Sequence, residues 1–288
     1  MSSETRLRSG YERVKSVCRK DWSSAEAGDA IIDLALLALR FLDSRASLVP
    51  LVSHVPGKDY VSYRFKKTVA RPANKEFFVP NGKSVCAWWR SWQRGTLDAD
   101  QFARMSYTVA LTPCLAMELF DRQNKKGPAT YFECLVGHIF AKSVGCNPAK
   151  SIFLTAHGRR IRMTMDFLFD TGPDGPNIHL PVKMSTRERV VQAWSHQRLL
   201  DAAYGSGYYK GIMVLFSETK MDSRSLQVVE ICVPDQWLAY QTFLAKIDRI
   251  YYFDVPARYE ALTQSFPEVI QIGHFRDFFT ETESVLGR

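Results

Sequence analysis

The stretch that decides the fold reads RIRMTMDFLF at residues 160–169, GPDGP at 172–176 and NIHLPVKM at 177–184. The first and last of these runs contain β-branched and aromatic residues typical of strands, and the glycines and prolines between them predict a turn. Another strand-like run, Ser151–Ala156, comes shortly before. The three runs together predict a β-meander.

Helical and extended patterns alternate on both sides of this meander. The apolar run Tyr131–Phe140 carries a single acid and predicts a buried helix that ends at Gly145. Downstream, helices are predicted over 187–204 and 234–247, and strands over 211–217, 226–233 and 249–253. The alternation predicts the α/β class, with a mixed central β-sheet flanked by helices.

The 288 residues show no linker rich in proline, glycine or serine, no low-complexity tract and no internal repeat. One domain is therefore expected. Within it, residues 1–128 predict a mainly helical N-terminal elaboration, in which Ser24 caps a helix, and residues 129–288 predict the core.

The composition indicates a globular protein that can attract a polyanion. Lysine and arginine number 38 against 30 acids, for a net charge of +8. The six cysteines form no C-x-x-C pair, which favours reduced thiols and a cytoplasmic location. The longest apolar run, Ala30–Leu42, contains Asp33 and Arg40 and is too short for a membrane span, so no membrane association is expected.

Asp166 and Lys183 are the candidate catalytic pair. They lie seventeen positions apart on the consecutive predicted strands, so both side chains can reach one end of the same hairpin. Phosphodiester hydrolysis requires a divalent metal, for which the Asp166 carboxylate and the Val182 carbonyl are suitable oxygen ligands. The Lys183 ammonium can orient or deprotonate the attacking water. The alternative is an ordinary cross-strand ion pair at the surface.

Three charged residues, Arg187, Glu188 and Arg189, follow at the start of the next predicted helix. Cations oppose the helix dipole at that end, at a local cost of a few tenths of a kcal/mol each. Arginine can donate two hydrogen bonds to guanine, and glutamate can accept one from cytosine. The cluster therefore suits the reading of C·G pairs in double-stranded DNA, the alternative being a solvated, self-paired charge cluster.

These residues resemble the PD-(D/E)xK restriction endonucleases, especially the clade that reads CCGG or interrupted CC/GG sites. The resemblance spans roughly residues 130–200 and rests on FECLVG at 132–137, MDF at 165–167, PVK at 181–183 and STRER at 185–189. It implies a restriction-endonuclease-like core and Mg²⁺ bound by Asp166. It also implies water activation by Lys183, an acid near the metal at Glu133, and base reading by the Arg187–Arg189 cluster.

The chain departs from that pattern at the second carboxylate. The usual position, two residues before the lysine, is Pro181. In the CC/GG clade the acid has moved to the following helix, onto positions that here are His196 and Gln197. Gln197 and Asp201 share an inward helix face, and either can complete the site. Glu133 is the other candidate for the second acid.

The resemblance implies a Type II restriction endonuclease that cuts a short palindromic or interrupted-palindromic site containing C·G pairs. A homodimer would match the twofold symmetry of such a site, and pairing of dimers into a tetramer is left open. Two alternatives remain: a structure-specific repair nuclease on the same fold, and a DNA-binding protein on a nuclease fold that has lost catalysis.

Overall fold

The computed structural model describes residues 2–121, 123–124, 126–172, 175–186 and 190–286. The chain forms two compact units, one of Met1–His138 with Thr219–Ile231 and one of Ile139–Glu218 with Cys232–Arg288. We call them the N-terminal unit and the sheet unit. A single domain, divided internally near residue 128, stays a prediction.

Helices and strands are numbered in chain order. The helices are α1 (Ser3–Lys20), α2 (Ala25–Arg45), α3 (Gly82–Gln93), α4 (Ala99–Phe120), α5 (Gly127–Val144), α6 (Val190–Tyr204), α7 (Pro234–Phe243), α8 (Ala257–Ser265) and α9 (Phe275–Leu286). The strands are β1 (Ser47–Pro50), β2 (Val52–Ser53), β3 (Tyr60–Phe65), β4 (Thr68–Val69), β5 (Ala73–Asn74), β6 (Ala149–Ala156), β7 (Arg159–Phe169), β8 (Asn177–His179), β9 (Val182–Lys183), β10 (Tyr209–Leu215), β11 (Thr219–Met221), β12 (Gln227–Glu230), β13 (Arg249–Tyr252) and β14 (Ile272–His274).

The N-terminal unit is built mainly from helices. Ser24 caps α2 by accepting a hydrogen bond from the Ala27 amide, so the predicted cap is confirmed. Helix α2 packs against both α1 and α4. Helix α4 is apolar around most of its circumference, which is typical of a helix buried on all sides. Two small sheets, β1-β3-β4 with β5 on β3 and β11-β12-β2, complete the unit.

The sheet unit contains a sheet of order β14-β13-β10-β8-β7-β6, with β9 also paired to β10. Strands β14, β13, β10 and β8 run parallel to one another, whereas β7 pairs antiparallel with both β8 and β6. The predicted meander is therefore confirmed as β6-β7-β8. The mixed α/β sheet is confirmed as well.

Helices cover both faces of this sheet. Adjacent residues of β13 point to opposite faces: Tyr252 stacks near Trp237 of α7, while Tyr251 meets Phe278 of α9 edge-on. Trp194 of α6 belongs to the same buried cluster as Tyr252 and Trp237. The sheet is thus the middle layer of the unit, and its residues pack against aromatic side chains on either side.

The third strand of the meander is interrupted where a continuous strand over 177–184 is expected. Strands β8 and β9 both run parallel to β10, and Leu180 and Pro181 separate them. The last bond to β7 is donated by the Leu180 amide to the Phe167 carbonyl. Pro181 has no N–H to continue that ladder, although its carbonyl still accepts from Val214 at 2.9 Å. The chain therefore leaves β7 at this proline.

The hairpin of β6 and β7 extends beyond the rest of the sheet. Its turn, His157-Gly158, has φ values of 50° and 72°, the double positive φ of a two-residue hairpin turn. At the inner end, the partner on β7 changes from Leu168 to Thr164 between Ala149 and Ser151. Extra residues are thereby accommodated in β7, a bulge of the kind that re-aims side chains next to active sites.

No helix within the described ranges has the length and apolar character needed to cross a membrane. All six cysteines fall in those ranges and carry free thiols, as the sequence predicts.

Candidate active site

Asp166 lies in the bulged part of β7, where the chain of β8 leaves the ladder. Its Oδ2 atom accepts a hydrogen bond from the Val182 amide at 2.9 Å and another from Lys183 Nζ at 2.6 Å. The Asp166 and Lys183 side chains are 22% and 23% exposed, so the pair is accessible but shielded. The structure brings together the aspartate and the lysine that the sequence predicted as a pair.

The backbone at Val182 explains this geometry. The carbonyls of its neighbours Pro181 and Lys183 accept bonds from the β10 side, at 2.9 Å from Val214 and at 3.1 Å from Phe216, the residue just after β10. Since backbone groups alternate sides along a parallel strand, the N–H and the carbonyl of Val182 both point away from β10. The N–H is bound by Asp166, and the carbonyl therefore lies on the same side as the Asp166 carboxylate.

Asp166 and Val182 present oxygens that fit Mg²⁺. In the described part of the chain no hydrogen bond reaches Asp166 Oδ1, because both donors bind Oδ2. Mg²⁺ in proteins is often held by one or two carboxylates and keeps several waters. The described residues form no cluster of three or more histidine, cysteine, aspartate or glutamate side chains suited to an ion. An ion here would take its remaining ligands from water and substrate phosphate.

The charges of Asp166 and Lys183 both affect the pKa of His196 in α6. Burial lowers the pKa of this half-buried imidazole, Asp166 raises it and Lys183 lowers it, and the net shift is downward. The neutral form is therefore favoured near pH 7. His196 occupies one of the two positions where the resemblance places a migrated acid.

Gln197, the other of those positions, is buried and fully hydrogen-bonded. Its Nε2 donates to Asp201 Oδ1 at 3.0 Å and to the Tyr209 carbonyl at 2.8 Å, and its Oε1 lies 2.9 Å from His179 Nδ1. Because Oε1 can only accept, the Nδ1 atom of His179 must carry the proton. Burial lowers the pKa of His179 to about 4, so this ring is neutral at pH 7.

The two candidate positions have different surroundings. The Gln197 amide is bonded to His179, and the His196 ring lies beside His179, with the ring centroids 6.2 Å apart. Asp201 accepts from Gln197. A direct role of Gln197 at the metal stays a prediction, and so does that of Glu133, which is partly buried on α5 between the fully buried Phe132 and Cys134.

Arg187, Glu188 and Arg189 lie outside the described residues. The residue just before them, Thr186, is held by Glu218: its amide and hydroxyl donate to Oε1 at 2.9 and 2.7 Å. The DNA-reading role of the three charged residues stays a prediction.

Glu218 is the residue of this region that the sequence reasoning missed. It is 2% exposed and also accepts a hydrogen bond from the Tyr252 hydroxyl at 3.0 Å. Burial, reinforced by the Glu218 charge, raises the pKa of Tyr252 well above its ordinary value, so this hydroxyl keeps its proton. An acid directly after the apolar strand run GIMVLFS at 211–217 was the available signal.

Comparison with solved structures identifies the fold. The Type IIP restriction endonuclease Kpn2I superimposes with a TM-score of 0.81 at 21% sequence identity, over 96% of this chain and 96% of that one. A complex of the restriction endonuclease PspGI with its substrate DNA matches with a TM-score of 0.39 and 16% identity, over 68% of this chain and 80% of that one. No family profile and no curated protein sequence matches the chain. The predicted restriction-endonuclease-like fold is confirmed.

Proposed function

We propose that this chain, which has the fold of a Type II restriction endonuclease, is itself a Mg²⁺-dependent, site-specific nuclease for double-stranded DNA. The observation that carries the proposal is the contact between Lys183 Nζ and Asp166 Oδ2 at 2.6 Å, next to the Val182 amide that donates to the same oxygen.

In this proposal the Asp166 carboxylate and the Val182 carbonyl hold the ion. When bound, Mg²⁺ supplies charge neutralisation at the phosphate and acidifies a bound water. Lys183 projects its ammonium beside Asp166, where it can donate to the attacking water and to a phosphate oxygen. Asp166 holds that ammonium in place through the ion pair. Attack of water in line with the leaving oxygen gives a 5′-phosphate and a 3′-hydroxyl.

We further propose that the Arg187–Arg189 cluster reads C·G pairs of a short palindromic or interrupted site. A homodimer would place one Asp166–Lys183 pair on each strand of such a site. The buried bond between Thr186 and Glu218 supports this assignment, because it anchors the backbone just before the cluster. The six free thiols fit an enzyme that acts in the reducing cytoplasm.

The test is cleavage of unmethylated plasmid and phage DNA with Mg²⁺ or with EDTA. The unsubstituted protein, Lys183→Ala and the control Lys220→Ala, an exposed lysine of β11, are compared. We expect discrete fragments that require Mg²⁺, persist in the control and disappear in Lys183→Ala. Sequencing of the fragment ends then gives the site.

Other outcomes separate the alternatives. A smear without discrete bands that Lys183→Ala abolishes would favour a nuclease without sequence specificity or a structure-specific one. DNA binding without cleavage, unchanged by Lys183→Ala, would leave a binding protein on a nuclease fold and refute the catalytic assignment.

A further inference from the structure

The outer part of the β6–β7 hairpin, residues 153–162, is exposed on both faces. We call it the outer ribbon. Phe153 is 45% exposed and Ile161 is 46% exposed, although both are large apolar residues. The inner half instead packs onto α6, where Ile152 and Met163 contact the cluster around Leu200. An isolated two-stranded ribbon gains little stability by itself, so its retention beyond the packed sheet suggests an interaction surface.

The charged side chains of the outer ribbon are all positive. Residues 149–165 include Lys150, Arg159, Arg160 and Arg162 and contain no aspartate or glutamate. Within the described ranges none of the three arginines forms an ion pair with an acid. Like charges so close together repel one another, and this repulsion is relieved when an anion binds.

The arginines are sorted between the two faces of the ribbon. Arg162 lies opposite Phe153 and Arg160 lies opposite Thr155, and cross-strand partners share a face. The Arg160 guanidinium stacks over the Phe153 ring at 4.0 Å, which limits its freedom before any ligand binds. Arg159 belongs to the opposite face, because side chains alternate along a strand.

The strand that carries the cationic face leads to the candidate active site. Arg160, Arg162 and Thr164 alternate along one face of β7, and Asp166 follows two residues later, inside the bulge of the same strand. At about 3.3 Å per strand residue, the backbone of Arg162 is about 13 Å from that of Asp166, and Arg160 about 20 Å. With 3.4 Å per base pair, these spans correspond to about 4–6 base pairs of duplex.

We propose that Arg160 and Arg162 of the outer ribbon bind DNA phosphates within about 6 base pairs of the phosphate held at Asp166. This inference rests on the proposed function, since it takes the same DNA as substrate. Charge complementarity selects DNA as the occupant. A second copy of this chain, with its own net charge of +8 and the same ribbon, would bring like charges together.

The test measures the salt dependence of DNA affinity for the full-length protein in EDTA, so that no cleavage occurs. Each lost phosphate contact lowers the slope of log K against log salt by about 0.9, so R160Q/R162Q is expected to lower it by about 2. R160K/R162K keeps both charges and should restore the slope. Two controls should leave it nearly unchanged: R159Q, on the opposite ribbon face, and R19Q/K20Q, which removes two exposed charges from α1.

A slope for R160Q/R162Q equal to that of the unsubstituted protein overturns the ribbon proposal. An equal loss in R19Q/K20Q overturns it too, because a general charge effect would then suffice. Cleavage into discrete fragments by the unsubstituted protein is measured in parallel. When that cleavage occurs and the slope is unchanged, only the ribbon proposal fails; when the unsubstituted protein binds no DNA, the proposed function fails with it.

Discussion

Replacing Glu218 with alanine removes one buried acceptor that binds three donors among the described residues. The Thr186 amide, the Thr186 hydroxyl and the Tyr252 hydroxyl lie 2.9, 2.7 and 3.0 Å from Oε1. Hydrogen bonds to a charged group contribute about 1.5–3 kcal/mol each, and a buried donor left without a partner costs about 1–3 kcal/mol. Because such terms do not add fully, we expect Glu218→Ala to lower the free energy of unfolding by about 3–5 kcal/mol.

Two milder variants are expected to lower the free energy of unfolding by smaller amounts. Glu218→Gln keeps one acceptor oxygen but replaces the other with an amide NH2 and removes the charge, so it should cost about half as much as the alanine variant. Thr186→Val removes only the hydroxyl bond and should cost about 1–2 kcal/mol. Urea unfolding followed by tryptophan fluorescence measures all three variants. A Glu218→Ala protein within about 1 kcal/mol of the parent would refute the reasoning, since buried donors would then have found other partners.

Two further predictions concern the buried network behind the candidate site. The pKa of His179 is lowered from 6.5 to about 4 in the folded state, so the unfolded chain binds the extra proton first as pH falls. Stability should therefore decline by roughly 3 kcal/mol as pH falls from 6.5 to 4, and His179→Gln should flatten that decline in urea titrations at several pH values. In Gly211→Ala, the added Cβ would lie 2.8 Å from Gln197 Oε1 and displace this amide. A loss of about 1–3 kcal/mol is expected for Gly211→Ala, and an unchanged urea midpoint would contradict it.

Local patterns predicted much of this fold. The Ser24 cap, the helix ending at Gly145 and the β6-β7-β8 meander each depend on residues close together in the sequence. The Asp166–Lys183 pair belongs to the same class, because a hairpin brings its members together. Short strands such as β14 were missed because only pairing with distant strands makes them extended.

The features that the sequence did not predict depend on tertiary packing. Glu218 meets Thr186 from 32 positions away, so no local signal marks it as an anchor. His196 and Gln197 are adjacent on one helix and point about 100° apart. Which of them faces Asp166 depends on the rotation of α6 about its axis, and the fully buried Trp194 and Leu200 set that rotation.

The bond between Asp166 and the Val182 amide gives this carboxylate a structural role besides its proposed role at the metal ion. Past Leu180, where β7 no longer supplies a main-chain acceptor, the side chain of Asp166 takes over that part and closes the end of the ladder. Among the described residues, the Lys183 ammonium has no such structural role: it donates a hydrogen bond only to the Asp166 carboxylate, and none to the backbone. If the proposed function holds, relatives that no longer cleave DNA should therefore lose the lysine early and the aspartate late. A relative with the aspartate but no lysine should still fold, because the aspartate side chain closes the end of the ladder.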